Sequence, residues 1–341
     1  MSKATFAVIA AASAATGAGV TALLYSSKSN RQQPAPPAPA AAAPRLPAPS
    51  TPTSSLPSPY PQPQTTAVAP IQPKSPVDPT GLLQYGFPGP VVDAVTSLPL
   101  TSGFDRRTRN PAWVAEHITP ESVRQNNGDR KHSTFYEETT IPQAFRARLN
   151  DYYRSGYDRG HQVPAADAKW SQEAMDATFS LANMCPQVGE GFNRDYWAHF
   201  EDFCRRLTKF YPSVRIVTGP LYLPKRDPAD GKWRVSYEVI GNPPNVAVPT
   251  HFYKVIFAED GSGAGGKVSL GAFVLPNARI PNDKSLTDFE VPLEAVERAS
   301  GLEFASKLPA DRRKKLCKEI KCEITVREFV KNSNNKALRA P

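Results

Sequence analysis

The chain holds only four cysteines in 341 residues, and no two of them form a Cys-x-x-Cys pair. That scarcity excludes a scaffold built on disulfides and a cysteine-rich zinc ribbon, because both need several sulfurs at short spacings. Cys185, Cys204, Cys317 and Cys322 are therefore expected to be reduced, partly buried thiols. A second absence covers the first eighty residues, which have neither hydrophobic periodicity nor enough apolar mass to fold. Sixteen of the 36 prolines fall between Pro34 and Pro79, amid Ala, Ser, Thr and Gln. This composition gives a semi-stiff disordered spacer with no core of its own. A third absence is magnesium chemistry at the glycine-rich stretch. Gly261-Ser-Gly-Ala-Gly-Gly266-Lys267 meets the first part of a phosphate-loop pattern, but Val268 stands where Ser or Thr is required. The segment that follows also reads as a strand, where a phosphate loop needs a helix, so a hairpin connection is expected and an ATP site is not.

The net charge of +9 is a weak signal too, since residues 81–341 carry only about +5 of it. It does not decide between a solvated basic edge and a polyanion partner for Arg106, Arg107 and Arg109. Arginine's fork does match phosphate oxygens, so Arg107 and Arg109 are candidate phosphate contacts.

Ahead of the spacer, Ala4 to Tyr25 is uncharged and rich in Ala and Gly, and Lys28 and Arg31 follow it. Its twenty-two residues are just enough to span a bilayer. The single lysine before it disfavours a secretory signal, and its shortage of arginine disfavours an ordinary organellar presequence. The reading carried forward is a membrane-anchored organellar segment, with a cleaved presequence and a secretory or merely flexible tail left open. The expected organisation is an apolar targeting or anchor segment over 1–32, a Pro/Ala-rich linker over 33–84, one folded domain over 85–331 and a short tail over 332–341.

Within the folded part, Tyr196 to Leu207 is the clearest helix, because Trp197, Phe200, Phe203, Cys204 and Leu207 recur at three and four residues. Ile141 to Leu149 reads as a short basic helix, and Lys169 to Leu181 as a helix or irregular crossover. Val214–Thr218, Val235–Ile240, Thr250–Phe257 and Val268–Leu275 read as strands separated by Gly- and Pro-rich turns. Lys314, Lys315 and Lys318 fit a helix with a solvated face, running into a strand over Ile324–Val330. Strands mixed with helices in this way indicate an α+β fold, a mixed or antiparallel central sheet flanked by helices.

The chemistry concentrates in about forty residues. Tyr157-Asp158-Arg159-Gly160-His161 is followed by Leu181-Ala182-Asn183-Met184-Cys185-Pro186-Gln187, and then by Asn193 through Glu201. Hydrolysing a phosphodiester needs a deprotonated water, neutralised phosphoryl oxygens and a stabilised leaving alkoxide. A histidine can do the first, and a divalent cation the other two. A lone histidine is usually structural, but His161 follows Arg159, with Asp158 close by and a glycine that lets the chain turn. Asn193 can offer one neutral carbonyl to Mg²⁺. If Asn193 begins the helix, Glu201 lies about 12 Å further along its axis, which suits a hold on metal-bound water better than direct ligation. Asn183 and Gln187 fit turn and cap chemistry at least as well as catalysis.

Together, Asp158-Arg159-Gly160-His161, Leu181 to Gln187, Asn193-Arg194-Asp195-Tyr196-Trp197 and Glu201 resemble the signature of the DNA/RNA non-specific endonucleases with a ββα-metal centre. Within that family the chain is most similar to the mitochondrial endonuclease G group in its fungal form. The likeness runs from about Gly86 to Val330. It implies His161 as general base, Asn193 as the direct protein ligand of Mg²⁺ or Mn²⁺, Arg159 assisting at the phosphate and Glu201 on metal-coordinated water. It also implies cleavage of DNA and RNA along their backbones to 5′-phosphate and 3′-hydroxyl ends, a homodimer, and an N-terminal segment at the mitochondrial inner membrane with the folded domain in the intermembrane space, released to the nucleus. One departure is His117, which replaces an arginine that secreted bacterial members place near the phosphate. A narrower phosphodiesterase, or a nonenzymatic nucleic-acid-binding or inner-membrane protein with a decayed site, are the competing readings, and intact His161 and Asn193 together argue against decay.

Overall fold

The computed structural model describes residues 91–261 and 266–326. The anchor, the linker and the C-terminal tail expected from the sequence lie outside them. Among the described residues no helix is long and apolar enough to cross a membrane.

The strands that organise the fold are β1 (Val92–Thr96), β2 (Leu100–Asp105), β3 (Asn110–Ile118), β4 (Asp158–His161), β5 (Met184–Gln187), β6 (Ser213–Leu221), β7 (His251–Glu259), β8 (Val268–Pro276) and β9 (Arg313–Lys315). Seven of them form one sheet in the order β1-β2-β3-β6-β7-β8-β9, antiparallel throughout except for the parallel β8–β9 pair. β4 and β5 make a separate antiparallel ribbon. The helices are α1 (Pro120–Arg124), α2 (Gln172–Ala177), α3 (Tyr196–Leu207), α4 (Leu293–Ser300) and α5 (Leu316–Glu319). This is the α+β architecture that the sequence indicates.

Period-two alternation divides the sheet into two faces. On one, Val214, Ile216, Phe252, Ile256 and Phe273 pack against Trp197, Phe200, Phe203 and Leu207 of α3. Each of these α3 side chains is at most 1% exposed, and full burial of one such side chain stabilises by about 1.5–3 kcal/mol. On the other, Leu221, Tyr253, Val255 and Ala272 pack against Leu293 and Val296 of α4. Helix α4 ends where Gly301 takes a left-handed φ of 74°, a conformation glycine adopts without Cβ strain.

Several local expectations change. Ile141–Leu149 holds one tight turn, Gln143–Phe145, and the first residue of a second, Leu149–Tyr152, since Pro142 sets an extended entry and the Arg146 side chain folds back on the carbonyls of Thr139 and Ile141. Val235–Ile240 is strand only at Val239–Ile240. Lys314 and Lys315 belong to β9 rather than to a helix, and Ile324–Val326 is not strand, with the remainder of that segment undescribed. Cys185 and Cys204 are buried free thiols, but Cys317 and Cys322 are joined by a disulfide. The single turn of α5 reverses the chain and brings their Cα atoms to 5.2 Å, well inside bridging range. Spacing alone does not reveal such a reversal.

Candidate active site

The β4–β5 ribbon sets His161 opposite Met184 and Asp158 opposite Gln187. Gly160 is required for this approach, because a Cβ there would lie 2.0 Å from Oε1 of Gln187. Asn183 fixes the chain leaving β4: its Oδ1 accepts from the Val163 amide at 3.0 Å, while its Nδ2 donates to the carbonyls of Val163 at 3.0 Å and Thr178 at 2.8 Å. Gln187 is fully buried, and its amide has no hydrogen-bond partner.

His161 is held in an aromatic box. Phe179 meets its ring edge-on at 4.9 Å and Phe135 lies 5.7 Å away. Two guanidiniums sit over the outer aromatics, Arg159 4.3 Å from the Phe135 centroid and Arg130 5.3 Å from that of Phe179. Burial, followed by the charges of Arg130 and Arg159, holds the imidazole well below its ordinary value. The ring is therefore neutral at neutral pH, and its buried Nε2 has no hydrogen-bond partner. A neutral imidazole between two cations can take a proton from a water only while an anion balances those charges, and a phosphate does so.

Asn193 closes an irregular turn, Gly189–Asn193, three residues ahead of α3. It does not begin the helix, so the axial projection to Glu201 made from the sequence does not apply. Its Nδ2 donates to Oδ2 of Asp158 at 2.9 Å, and Arg194 pairs with the same oxygen at 3.0 Å. Asp158 thereby orients the amide and leaves the asparagine carbonyl without a hydrogen bond from the protein. Among the described residues no group of three His, Cys, Asp or Glu side chains could hold a metal. The donor set at Asn193, one neutral oxygen open to solvent, fits a hard divalent cation that keeps most of its shell as water and phosphate.

Beneath this site lies a cluster of charges that sequence patterning did not single out. Glu201 on α3 is pushed up to about 7 by burial, with Lys254, Arg205 and Arg130 pulling downwards and Asp167 upwards. Arg205 reaches Oδ1 of Asp167 at 2.6 Å. Lys254, 1% exposed, donates to Oγ1 of Thr218 at 2.8 Å and lies 4.9 Å from the Trp197 ring centroid. Burial, then Asp167, drives Glu116 well above the usual carboxyl range, and neither of its oxygens finds a hydrogen-bond partner. The signal was present in the strands: Glu116 lies between Val114 and Ile118, and Lys254 between Phe252 and Ile256, each a charge on an otherwise apolar face.

The same alternation corrects the expectation at His117. It points to the opposite face from Glu116, where Nε2 meets Oγ of Ser213 at 2.8 Å, so it is not the counterpart of a phosphate arginine. Arg109 does not fill that place, because its guanidinium donates to the carbonyls of Arg106, Arg107 and Ala144. Arg107 is exposed in the β2–β3 turn. The second cation at His161 is Arg130, from the loop after α1, which a sequence scan passes over because no short motif frames it.

Residues 78–311 match the family model described as DNA/RNA non-specific endonuclease. The mitochondrial nuclease of Saccharomyces cerevisiae is 60% identical over 271 residues, covering 78% of this chain and 82% of the relative. Mitochondrial endonuclease G of Homo sapiens is 43% identical over 229 residues, covering 67% and 74%. Among solved structures, a chain in the crystal structure of the EndoG/EndoGI complex is similar with a TM-score of 0.63 and 44% identity, over 71% of this chain and 99% of that one.

Proposed function

We propose, from the premise that the chain belongs to the DNA/RNA non-specific endonuclease family, that His161 is the general base of a divalent-metal-dependent hydrolysis of DNA and RNA. The protein is an endonuclease and, like its named relatives, mitochondrial. One observation supports the mechanistic reading above others: Asp158, three residues before His161, hydrogen-bonds the Asn193 amide. That contact locks the strand carrying the base to the turn carrying the cation ligand, so the two act at one phosphate.

In this reading His161 removes a proton from the attacking water, and Arg159 and Arg130 neutralise the phosphoryl oxygens. Asn193 would hold a Mg²⁺ or Mn²⁺ ion through its carbonyl, with Glu201 placed to hold the water around it, and the ion would supply charge stabilisation for the leaving 3′ oxygen. Departure of that oxygen leaves 5′-phosphate and 3′-hydroxyl ends. Asn183 and Gln187 set the ribbon, and exposed Arg107 remains available to more distant phosphates. Contact with backbone rather than base edges accounts for tolerance of both nucleic acids. The experiment is direct: the purified protein is incubated with a plasmid and with an RNA, in Mg²⁺ or in EDTA. Cleavage of both that EDTA abolishes is expected, whereas cleavage of one class alone would leave a narrower phosphodiesterase.

The protein acts as a homodimer in this reading, held by residues 1–32 at the inner membrane with its nuclease domain in the intermembrane space until release to the nucleus. Deleting residues 1–30 is expected to leave nuclease activity within about threefold, since the site lies wholly beyond them. It should abolish mitochondrial retention in fractionated cells. A truncated chain that still reached mitochondria would end the targeting part of this reading.

A further inference from the structure

The stretch Trp233-Arg234-Val235-Ser236-Tyr237-Glu238-Val239 is unusual for a folded domain. Trp233, Val235, Tyr237 and Val239 are 46, 51, 45 and 46% exposed, at alternate positions of one segment. The ladder with Lys225–Arg226 ends at Arg234, and the one with Val246–Ala247 begins at Val239. Between them, no backbone group of Val235, Ser236 or Tyr237 makes a hydrogen bond within the described residues. Every residue from Lys232 to Val239 is exposed, and exposed apolar side chains beside open backbone groups form a template for pairing.

The geometry points to a second copy of this chain as the partner, joined strand to strand in antiparallel register about a two-fold axis at Ser236. This rests on the reading of the protein as a homodimer and names the surface. Three features favour self-pairing in that register. Trp233 then faces Val239, and Val235 faces Tyr237, so the four exposed side chains of each copy cover one another on one side of the ribbon. On the other side Arg234 faces Glu238. The 225–234 hairpin carries Lys225, Arg226, Lys232 and Arg234 against Asp227 and Asp230, a net positive end that meets the Glu238 carboxylate of the second copy. Finally, the Glu238 carbonyl already accepts from the Val248 amide at 2.8 Å, which leaves Val235 and Tyr237 as the residues that exchange backbone hydrogen bonds across the axis. The interface is isologous, as a closed two-fold dimer requires.

Ser236 thus lies opposite itself as a non-hydrogen-bonded pair, with Cα atoms about 4.5 Å apart, inside disulfide range. The test uses the full-length protein in mild detergent, with its mass measured by sedimentation and its cross-linking read on non-reducing gels after mild oxidation. Wild type has no exposed free thiol among its described residues, since Cys185 and Cys204 are buried. Ser236→Cys is expected to convert most of the protein to a disulfide-linked dimer. Adding Glu238→Arg should cut the cross-linked fraction at least about tenfold, because like charges facing each other suppress association, and adding Arg234→Glu to that chain should restore it. A wild-type dimer whose Ser236→Cys chains stay uncrosslinked would overturn this surface while leaving the homodimer intact. A wild-type monomer at every concentration would overturn the homodimer itself.

Discussion

On one face of the central sheet, Glu116, Thr218 and Lys254 occupy inward positions between apolar neighbours, and Glu201, Asp167 and Arg205 close around them. On the opposite face, the buried residues under α4 are Leu221, Tyr253, Val255, Ala272, Leu293 and Val296, an apolar cluster. The same strands serve both faces, so the difference does not come from backbone geometry. It comes from which residues alternate along β3, β6 and β7. Buried charges cost several kcal/mol each unless paired, and natural sequences accept that cost where a charge is used. The α4 face carries stability, while the α3 face gives up part of its stability to hold Glu201 and the ribbon with His161.

The sharpest way to test that division is to remove the base. His161→Ala is expected to keep its fold and lose at least about a hundredfold in cleavage rate, as general-base assistance commonly contributes 10² to 10⁴. A folded variant with near-normal cleavage would take His161 out of the mechanism. Next in size is Asn193→Ala, whose half-saturating Mg²⁺ concentration should rise by about ten- to a hundredfold while binding to uncut DNA in EDTA stays the same. An unchanged Mg²⁺ titration would remove Asn193 as the ligand.

The apolar face should show the opposite signature. Val296→Ala is expected to lower unfolding stability by about 2 kcal/mol, measured by urea denaturation, with activity per folded molecule unaltered. A loss of rate in the folded variant would mean that α4 shapes the site after all. The smallest effect concerns Glu116. Its carboxyl is held well above the ordinary carboxyl range, chiefly by burial, so it stays protonated when folded and ionises when the chain unfolds. Its contribution is therefore full below about pH 4.5 and is lost as pH rises through the folded value. Glu116→Gln cannot ionise, so its stability relative to wild type should grow as pH rises above about 4.5, the value at which the unfolded chain's carboxyl ionises. A pH-independent difference would show that Glu116 is charged in the native state.

Much of the site could be read in advance because its parts lie close in sequence. His161, Arg159 and Asp158 share β4, and Asn183, Gln187 and Asn193 follow within a few turns of chain. Helix α3 was legible from end to end, since five large side chains at helical spacing leave no other way to bury them together. The differences share a cause. His117 reads as a replacement near the phosphate because linear position does not say which side of a strand a residue faces. Arg130 carries no signal in the sequence because it reaches His161 through an aromatic contact with Phe179, across a gap of about fifty residues that no local pattern bridges. The Cys317–Cys322 bridge depends on a chain reversal at α5 that its flanking residues do not advertise.

What the sequence determined by itself was the set of local choices: α3, three of the four strand candidates (all but Val235–Ile240), the glycine at position 160 and the chemical kinds of residue near His161. These follow from side-chain periodicity and backbone freedom, which act over a few residues. Tertiary structure decided which charges meet. Glu116 from β3, Lys254 from β7, Glu201 and Arg205 from α3 and Asp167 from the loop after β4 influence one another only because the sheet and helix stack, and the protonation of Glu201 and His161 is set there. Electrostatics acts through space and grows as water is excluded, so the working state of this site belongs to the fold and not to any one segment of the chain.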